Sequence, residues 1–243
     1  EDYWRNFGTH RESMIAPSLA WYGDTTKVVF AYEHREFLSP FDRGTAIDPK
    51  TNHPLDIPAT RRLDEPFNNM EGRSDLYRFE ADHELNDDWT AHVGYSWNRE
   101  TYDASQVRIA SVNTNGTLTR SMDGTRGALT TDRFATASLE GKVKLGGMQH
   151  DLVFGLDDEY RKIYRAELIR QSQRSAFSYV NPVYGNDVQG TTVSAKDSAQ
   201  TDLLRSDSLF LQDAIHLTDQ WILVAGARYQ MYDQYRSEEH TSE

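Results

Sequence analysis

Residues 86–98 read Asn86-Asp87-Asp88-Trp89-Thr90-Ala91-His92-Val93-Gly94-Tyr95-Ser96-Trp97-Asn98. A turn signal is followed by strict alternation. Trp89, Ala91, Val93, Tyr95 and Trp97 are apolar or aromatic, and the residues between them are small or polar. A period of two places the two sets on opposite faces of a strand. The preceding stretch behaves alike: Tyr77, Phe79, Ala81 and Leu85 oppose Arg78, Glu80, Asp82 and Glu84, with His83 the polar exception on the apolar side. Together the two stretches predict a tight hairpin closed at Asn86-Asp87-Asp88.

The same unit recurs outward from this point. Turn signals stand at Gly23-Asp24-Thr25-Thr26, Gly146-Gly147 and Thr218-Asp219, each between strand-like stretches. Residues 135–145 alternate, as do residues 221–230. Between the hairpins lie long polar connections, residues 38–72, 104–130 and 167–204. A soluble meander keeps its loops short. Short turns alternating with long loops are the layout of an antiparallel transmembrane β-barrel, with short periplasmic turns and long extracellular loops in a bacterial outer membrane. The fold class is therefore all-β.

Aromatic placement supports two membrane interfaces. Trp21, Trp89 and Trp221 flank short turns, and Trp97 and Tyr229 each lie eight residues beyond a turn tryptophan. Eight tilted steps rise roughly 20 Å, near the height of a barrel's apolar band between its aromatic girdles. Two strands resist the pattern. Pro17 must forgo a ladder hydrogen bond, and Asp213 shares a face with Leu209, Leu211, Ile215 and Leu217, which predicts a register shift through a bulge.

Composition narrows the function. The 243 residues carry 26 Lys+Arg against 38 Asp+Glu, a net charge of −12, which argues against nucleic acid as a partner. Without cysteine there is no disulfide framework or thiol nucleophile. Mean hydropathy is −0.74, and the longest apolar run, Trp221 to Ala227, is too short for a membrane helix. No nucleophile elbow, phosphate loop or catalytic constellation stands out, so no enzyme is expected. The eight histidines show no metal-ligand spacing.

Leu209-Phe210-Leu211-Gln212-Asp213, the run from Leu217 to Tyr229, and Asn86 to Glu100 resemble barrel strands of TonB-dependent siderophore receptors. Pro40-Phe41-Asp42-Arg43-Gly44-Thr45 is similar to an outer-loop run of the ferric-siderophore subset. The resemblance covers residues 3–235. It implies a barrel of about 22 strands, of which this chain supplies about eight long ones, closed by a plug domain and energised through TonB. It also implies a ferric siderophore as ligand and outer-membrane lipid around the wall. Iron would arrive already chelated, so no cofactor and no protein metal ligand is expected. Residues 1–235 read as an internal, partial receptor barrel, and residues 236–243 as a non-native tail.

Inward-facing Glu33, Arg35, Arg78, Glu80, Asp82, Glu140, Lys142, Asp157 and Glu159 would line a hydrated lumen, mostly as cross-strand charge pairs. Arg43, Arg61, Arg62, Arg120, Arg126, Arg170 and Arg174 fall in the outer loops with Phe37, Phe41, Phe67, Phe177, Tyr179 and Tyr184. Planar cations and aromatic rings suit a bulky anionic chelate. Phe37, Phe41, Arg43, Phe177, Tyr179 and Tyr184 are the ligand candidates. The competing readings are a complete eight-strand barrel serving as adhesin or anchor, and a soluble secreted β-protein that binds carbohydrate.

Overall fold

The computed structural model describes residues 4–238. It contains eleven strands and, among the described residues, no helix. They are β1 (Arg11–Ile15), β2 (Ser18–Tyr22), β3 (Thr26–Pro40), β4 (Asn69–Asn86), β5 (Trp89–Val112), β6 (Thr117–Leu145), β7 (Met148–Arg165), β8 (Glu167–Ile169), β9 (Phe177–Ser178), β10 (Gln200–His216) and β11 (Ile222–Glu238). One antiparallel sheet runs β1-β3-β4-β5-β6-β7-β10-β11, with β2 also on β3 and with β8 and β9 on β6. The sheet is open, with β1/β2 and β11 at its edges.

All four short turns form where the sequence puts them. Pro17 splits the first strand into β1 and β2, and its carbonyl accepts the Tyr32 N–H at 3.0 Å. Pairing in register carries the period-two pattern across the sheet. Trp21, Val28, Ala81, Val93, Ala137, Leu156, Leu209 and Tyr229 form one row of the outer face. Lys27, Asp82, His92, Ser138, Gly155, Phe210 and Arg228 form the adjoining row of the inner face. Charges on the inner face pair across strands. Arg161 meets Asp132 at 2.6 Å, Arg228 meets Asp157 at 2.8 Å, and His92 Nδ1 lies 2.8 Å from Asp82.

The outer face remains bare in the isolated chain: Trp21 is 58% exposed and Tyr229 65%. Every buried hydrophobic residue among the described ones lies instead toward the long-loop end. That inversion suits a wall whose outer solvent is lipid.

Two expectations need correction. Residues 104–130 are not a loop: β5 and β6 continue as a hairpin to a turn at residues 113–116, with register irregularities at Tyr102/Ala104 and Ile109/Ser111. Pairing of two polar strands outruns the apolar band, so polarity there did not mark a loop. Asp213 causes no bulge, since β10 keeps unbroken register with β7 and β11 through it. It stays on the outer face because His150 Nδ1 lies 2.8 Å from its Oδ2. The other polar exception, His83, likewise finds Thr26 Oγ1 at 2.7 Å. The boundary expected at residue 235 falls within β11, whose backbone pairing with β10 runs to Glu238; residues 239–243 of the expected tail lie outside the described residues.

Candidate functional site: the extracellular cap

Three segments meet above the long-loop end of the wall: residues 41–68, the outer β5–β6 hairpin, and residues 166–199. Leu55, Leu63, Leu118 and Phe177 form their apolar nucleus, with Ile57, Ile109, Tyr179 and Tyr184 packed around it. Leu118 has no exposed surface. A two-strand hairpin alone is marginal in water; here one of its faces is covered by both neighbouring segments, which supplies the missing burial.

The polar centre of the cap is Arg120. Its side chain is 1% exposed, and its Nη2 donates to Glu65 Oε1 at 2.6 Å and to Asp187 Oδ2 at 2.8 Å. Its Nη1 donates to the Leu63 carbonyl at 3.1 Å, and the guanidinium lies 3.8 Å from the Phe177 ring centroid. The two acids are held in turn: Glu65 Oε2 accepts the Gly185 N–H, and Asp187 Oδ1 accepts the Arg174 N–H. One cation thus joins the three segments. Buried ions stripped of water gain little net stability, but they penalise any arrangement that leaves one unpaired. The network therefore selects one loop arrangement over others.

A second cluster lies beside it. Arg62 donates to Asp64 at 2.6 Å, Asn68 donates to the same oxygen at 3.1 Å, and the Asp64 Oδ1 is buried without a partner. Burial raises the Asp64 carboxyl above its ordinary range, opposed by Arg62. Tyr184 donates its hydroxyl to the Arg62 carbonyl at 2.8 Å, and burial pushes the phenol up. Arg61 ties the first segment to the third by donating to the carbonyls of Tyr179 and Val180.

The ligand candidates separate into groups. Phe177 is buried and meets Tyr184 at a centroid distance of 5.6 Å, with Tyr179 against the same nucleus; these three hold the cap together. Phe37 lies in β3 rather than in a loop, because that strand extends past the band, and it is buried under Arg35 at 5.0 Å. Phe41 and Arg43 are together, the guanidinium 5.6 Å from the ring centroid. Arg43 Nε donates to Gln106 at 2.8 Å, and the residue is exposed. Arg43 and Arg108 border a hollow of about 380 Å³ with Ile47 and Val112 on its apolar side. Arg62 and Arg120, grouped by sequence with the loop arginines, are internal. Glu65 and Asp187, the acids that hold Arg120, carried no signal at 55 and 67 residues' separation from it, whereas the acid of Arg62, Asp64, is two residues away.

The girdle residues fall on the outer face as expected from their alternation. Tyr77 and Trp97 stack with Tyr32 in one register row, at 4.8 and 5.4 Å between centroids. Trp89 lies across Gly141, where no side chain competes, and meets Phe154 edge-on at 6.1 Å.

An open antiparallel wall with short turns, long outer segments and an aromatic row on its bare apolar face has the layout of an outer-membrane β-barrel protein. The family described as "TonB dependent receptor-like, beta-barrel" matches residues 14–242, and the chain belongs to it. The family is one of transporters, and its barrels lie in the bacterial outer membrane. A curated relative, the metal-pseudopaline receptor CntO of Pseudomonas aeruginosa strain UCBPP-PA14, is 26% identical over 95% of this chain and 32% of its own length. Among solved structures, the ferric-catecholate import receptor Fiu of E. coli K12 aligns with a TM-score of 0.81 at 15% identity, covering 97% of this chain and 39% of its own. The ferric preacinetobactin receptor BauA of Acinetobacter baumannii gives 0.80 at 16%, covering 98% and 36%. The chain thus spans about a third of the length of the curated relatives it matches.

Proposed function

We propose that this chain is a wall-and-cap segment of a receptor that takes up a ferric siderophore, energised by TonB through a plug domain in the lumen. The observation that carries the reading is the cap: three segments locked by Arg120 above a hydrated wall, presenting Arg43 and Phe41 at an exposed edge. A preorganised rim lowers the ordering cost of capturing a bulky chelate. A guanidinium over an aromatic ring offers charge and stacking to an anionic complex. The metal arrives within the chelate, so the wall needs no resident cofactor. Lipid surrounds the outer face, and the plug meets the paired charges of the inner one.

A second reading is favoured by the curated relative, whose name specifies a metal–pseudopaline complex: the cargo is then a metallophore complex of another transition metal. Uptake of radiolabelled metal by cells carrying or lacking the full-length gene, supplied as iron in ferric siderophores or as another transition metal in its own chelates, separates the two. Gene-dependent iron uptake that stops without TonB supports the first. Gene-dependent uptake of a non-ferric chelate supports the second. No gene-dependent uptake of any chelate removes both.

A further inference from the structure

Residues 4–10, which lead into β1, also reach the cap. The Asn6 N–H donates to the Thr60 carbonyl at 3.0 Å. Phe7 has a φ of 49°, a left-handed conformation that a non-glycine residue keeps only where its surroundings fix it. Its ring meets Tyr184 edge-on at 4.8 Å and lies 4.9 Å from the Arg62 guanidinium. These contacts deliver Arg5 to Asp42. Arg5 Nη1 donates to both carboxylate oxygens, at 2.7 and 2.8 Å, and Nη2 donates to the Arg61 carbonyl. Both side chains of the pair are 6% exposed.

Asp42 stands between Phe41 and Arg43, the pair at the capture edge. Its Oδ1 also accepts the Gly44 N–H at 2.8 Å, closing a turn that Gly44 completes at a φ of 80°. The Phe41 N–H donates to the Asn68 carbonyl at 3.0 Å. The carboxylate thus shapes the run that carries Phe41 and Arg43, yet its charge opposes an anionic ligand at the same edge. The other nearby arginines are engaged elsewhere: Arg43 with Gln106, Arg61 with the carbonyls of Tyr179 and Val180, and Arg62 with Asp64. Among the described residues Asp42 has no ion-pair partner besides Arg5.

We propose that Arg5 is the positioning residue of the capture edge: it holds Asp42 in the turn and cancels its charge, so that Arg43 stays available to an anionic ferric chelate. This role rests on the uptake reading and extends the site to a residue outside it. A bidentate guanidinium fixes a carboxylate in orientation as well as in charge. Without Arg5 the buried carboxylate is left uncompensated, and the nearest cation in sequence is Arg43 itself.

The test uses the full-length receptor that carries this segment, in detergent, with a folded barrel checked by gel mobility before and after heating. Binding of a trianionic ferric tris-catecholate and of a neutral ferric tris-hydroxamate is read by tryptophan fluorescence quenching. R5Q should weaken tris-catecholate binding about tenfold and tris-hydroxamate binding much less, because the unmasked Asp42 charge acts on an anion. R5Q/D42N removes both charges, is the milder change for folding, and should recover most of the tris-catecholate loss. Hydrogen exchange of residues 41–44, read without ligand, should rise in R5Q while the wall ladder stays slow. Unchanged tris-catecholate binding by R5Q overturns the proposal, as does R5Q/D42N binding it as weakly as R5Q. Equal losses for the two chelates in R5Q reduce Arg5 to a structural tie and overturn the charge role. Wild-type binding of the tris-hydroxamate alone overturns that role too. Unaltered exchange at residues 41–44 in R5Q overturns the holding role whether or not a chelate binds. Wild-type receptor that binds neither chelate counts against the uptake reading instead, and the exchange measurement then decides the hold of Arg5 on the edge by itself.

Discussion

The wall and the cap solve opposite problems with the same strands. In the wall, β3 to β7 keep register apart from one irregularity at Glu84/Asn86 beside a short turn, apolar side chains stay bare on one face, and charges pair on the other. In the cap, the same β5 and β6 continue past the band, apolar residues turn inward around Leu118, and the centre is a buried Arg120 with two carboxylates. The difference teaches that solvent, rather than backbone geometry, decides what a strand buries. Where lipid lies outside, apolar side chains need no protein partner. Where water does, they must find one, and the ionic groups trapped with them fix which partner.

The comparison breaks most visibly at Arg120. Arg120→Met leaves Glu65 and Asp187 buried without a cation, a loss of about 3–5 kcal/mol. We expect trypsin cleavage within residues 41–68 and hydrogen exchange across 166–199 to rise, while exchange in the lower β6–β7 ladder stays slow. Unaltered cap protection would mean that the triad does not join the segments. Next comes a charge placed on either face of one strand. Ala137→Arg on the lipid side should destabilise folding into vesicles by about 2–4 kcal/mol. Ser138→Arg, one residue along and inward, should change it little. Equal costs would show that the faces are not distinguished by lipid. A smaller effect is expected at Gly141, where any Cβ would intrude on the Trp89 ring. Gly141→Val should cost about 1–3 kcal/mol through overpacking and shift Trp89 fluorescence as the ring is displaced.

The smallest effect concerns Glu12, above the aromatic row. Hydrogen bonds from Arg35 hold its carboxyl below the ordinary range. A depressed folded value gives stability that is present above the unfolded value and lost as pH falls through the folded one. An NMR titration should show Glu12 ionised to lower pH than in Arg35→Gln, with little change in overall folding.

Much of the wall was legible in the sequence because lipid imposes a simple code. Alternation in residues 89–97, turn signals at Gly146-Gly147, and tryptophans beside turns each have one local reading. The cap was less legible for two reasons. Residues 104–130 are largely polar and contain Gly124 and Gly127, which locally resemble a loop, although they pair as an antiparallel hairpin with register irregularities at Tyr102/Ala104 and Ile109/Ser111. Arg120 looks like any exposed arginine until its acids arrive from distant segments, and Arg62 until the fold buries it with Asp64 two residues away. Phe37 misled in the same way, since nothing local says that β3 outlasts the band. Asp213 was visible as an anomaly, but its cause, His150, sits two strands' worth of chain away.

β6 has 29 residues, a contour of roughly 95 Å, against an apolar band of about 25 Å. Most of that length is therefore a mast rather than a wall. Its tip, the turn at residues 113–116, is raised clear of the membrane surface and stayed on one side by the cap. An epitope tag inserted at Asn115 should thus be reached by antibodies on intact cells, while the barrel beneath folds as before.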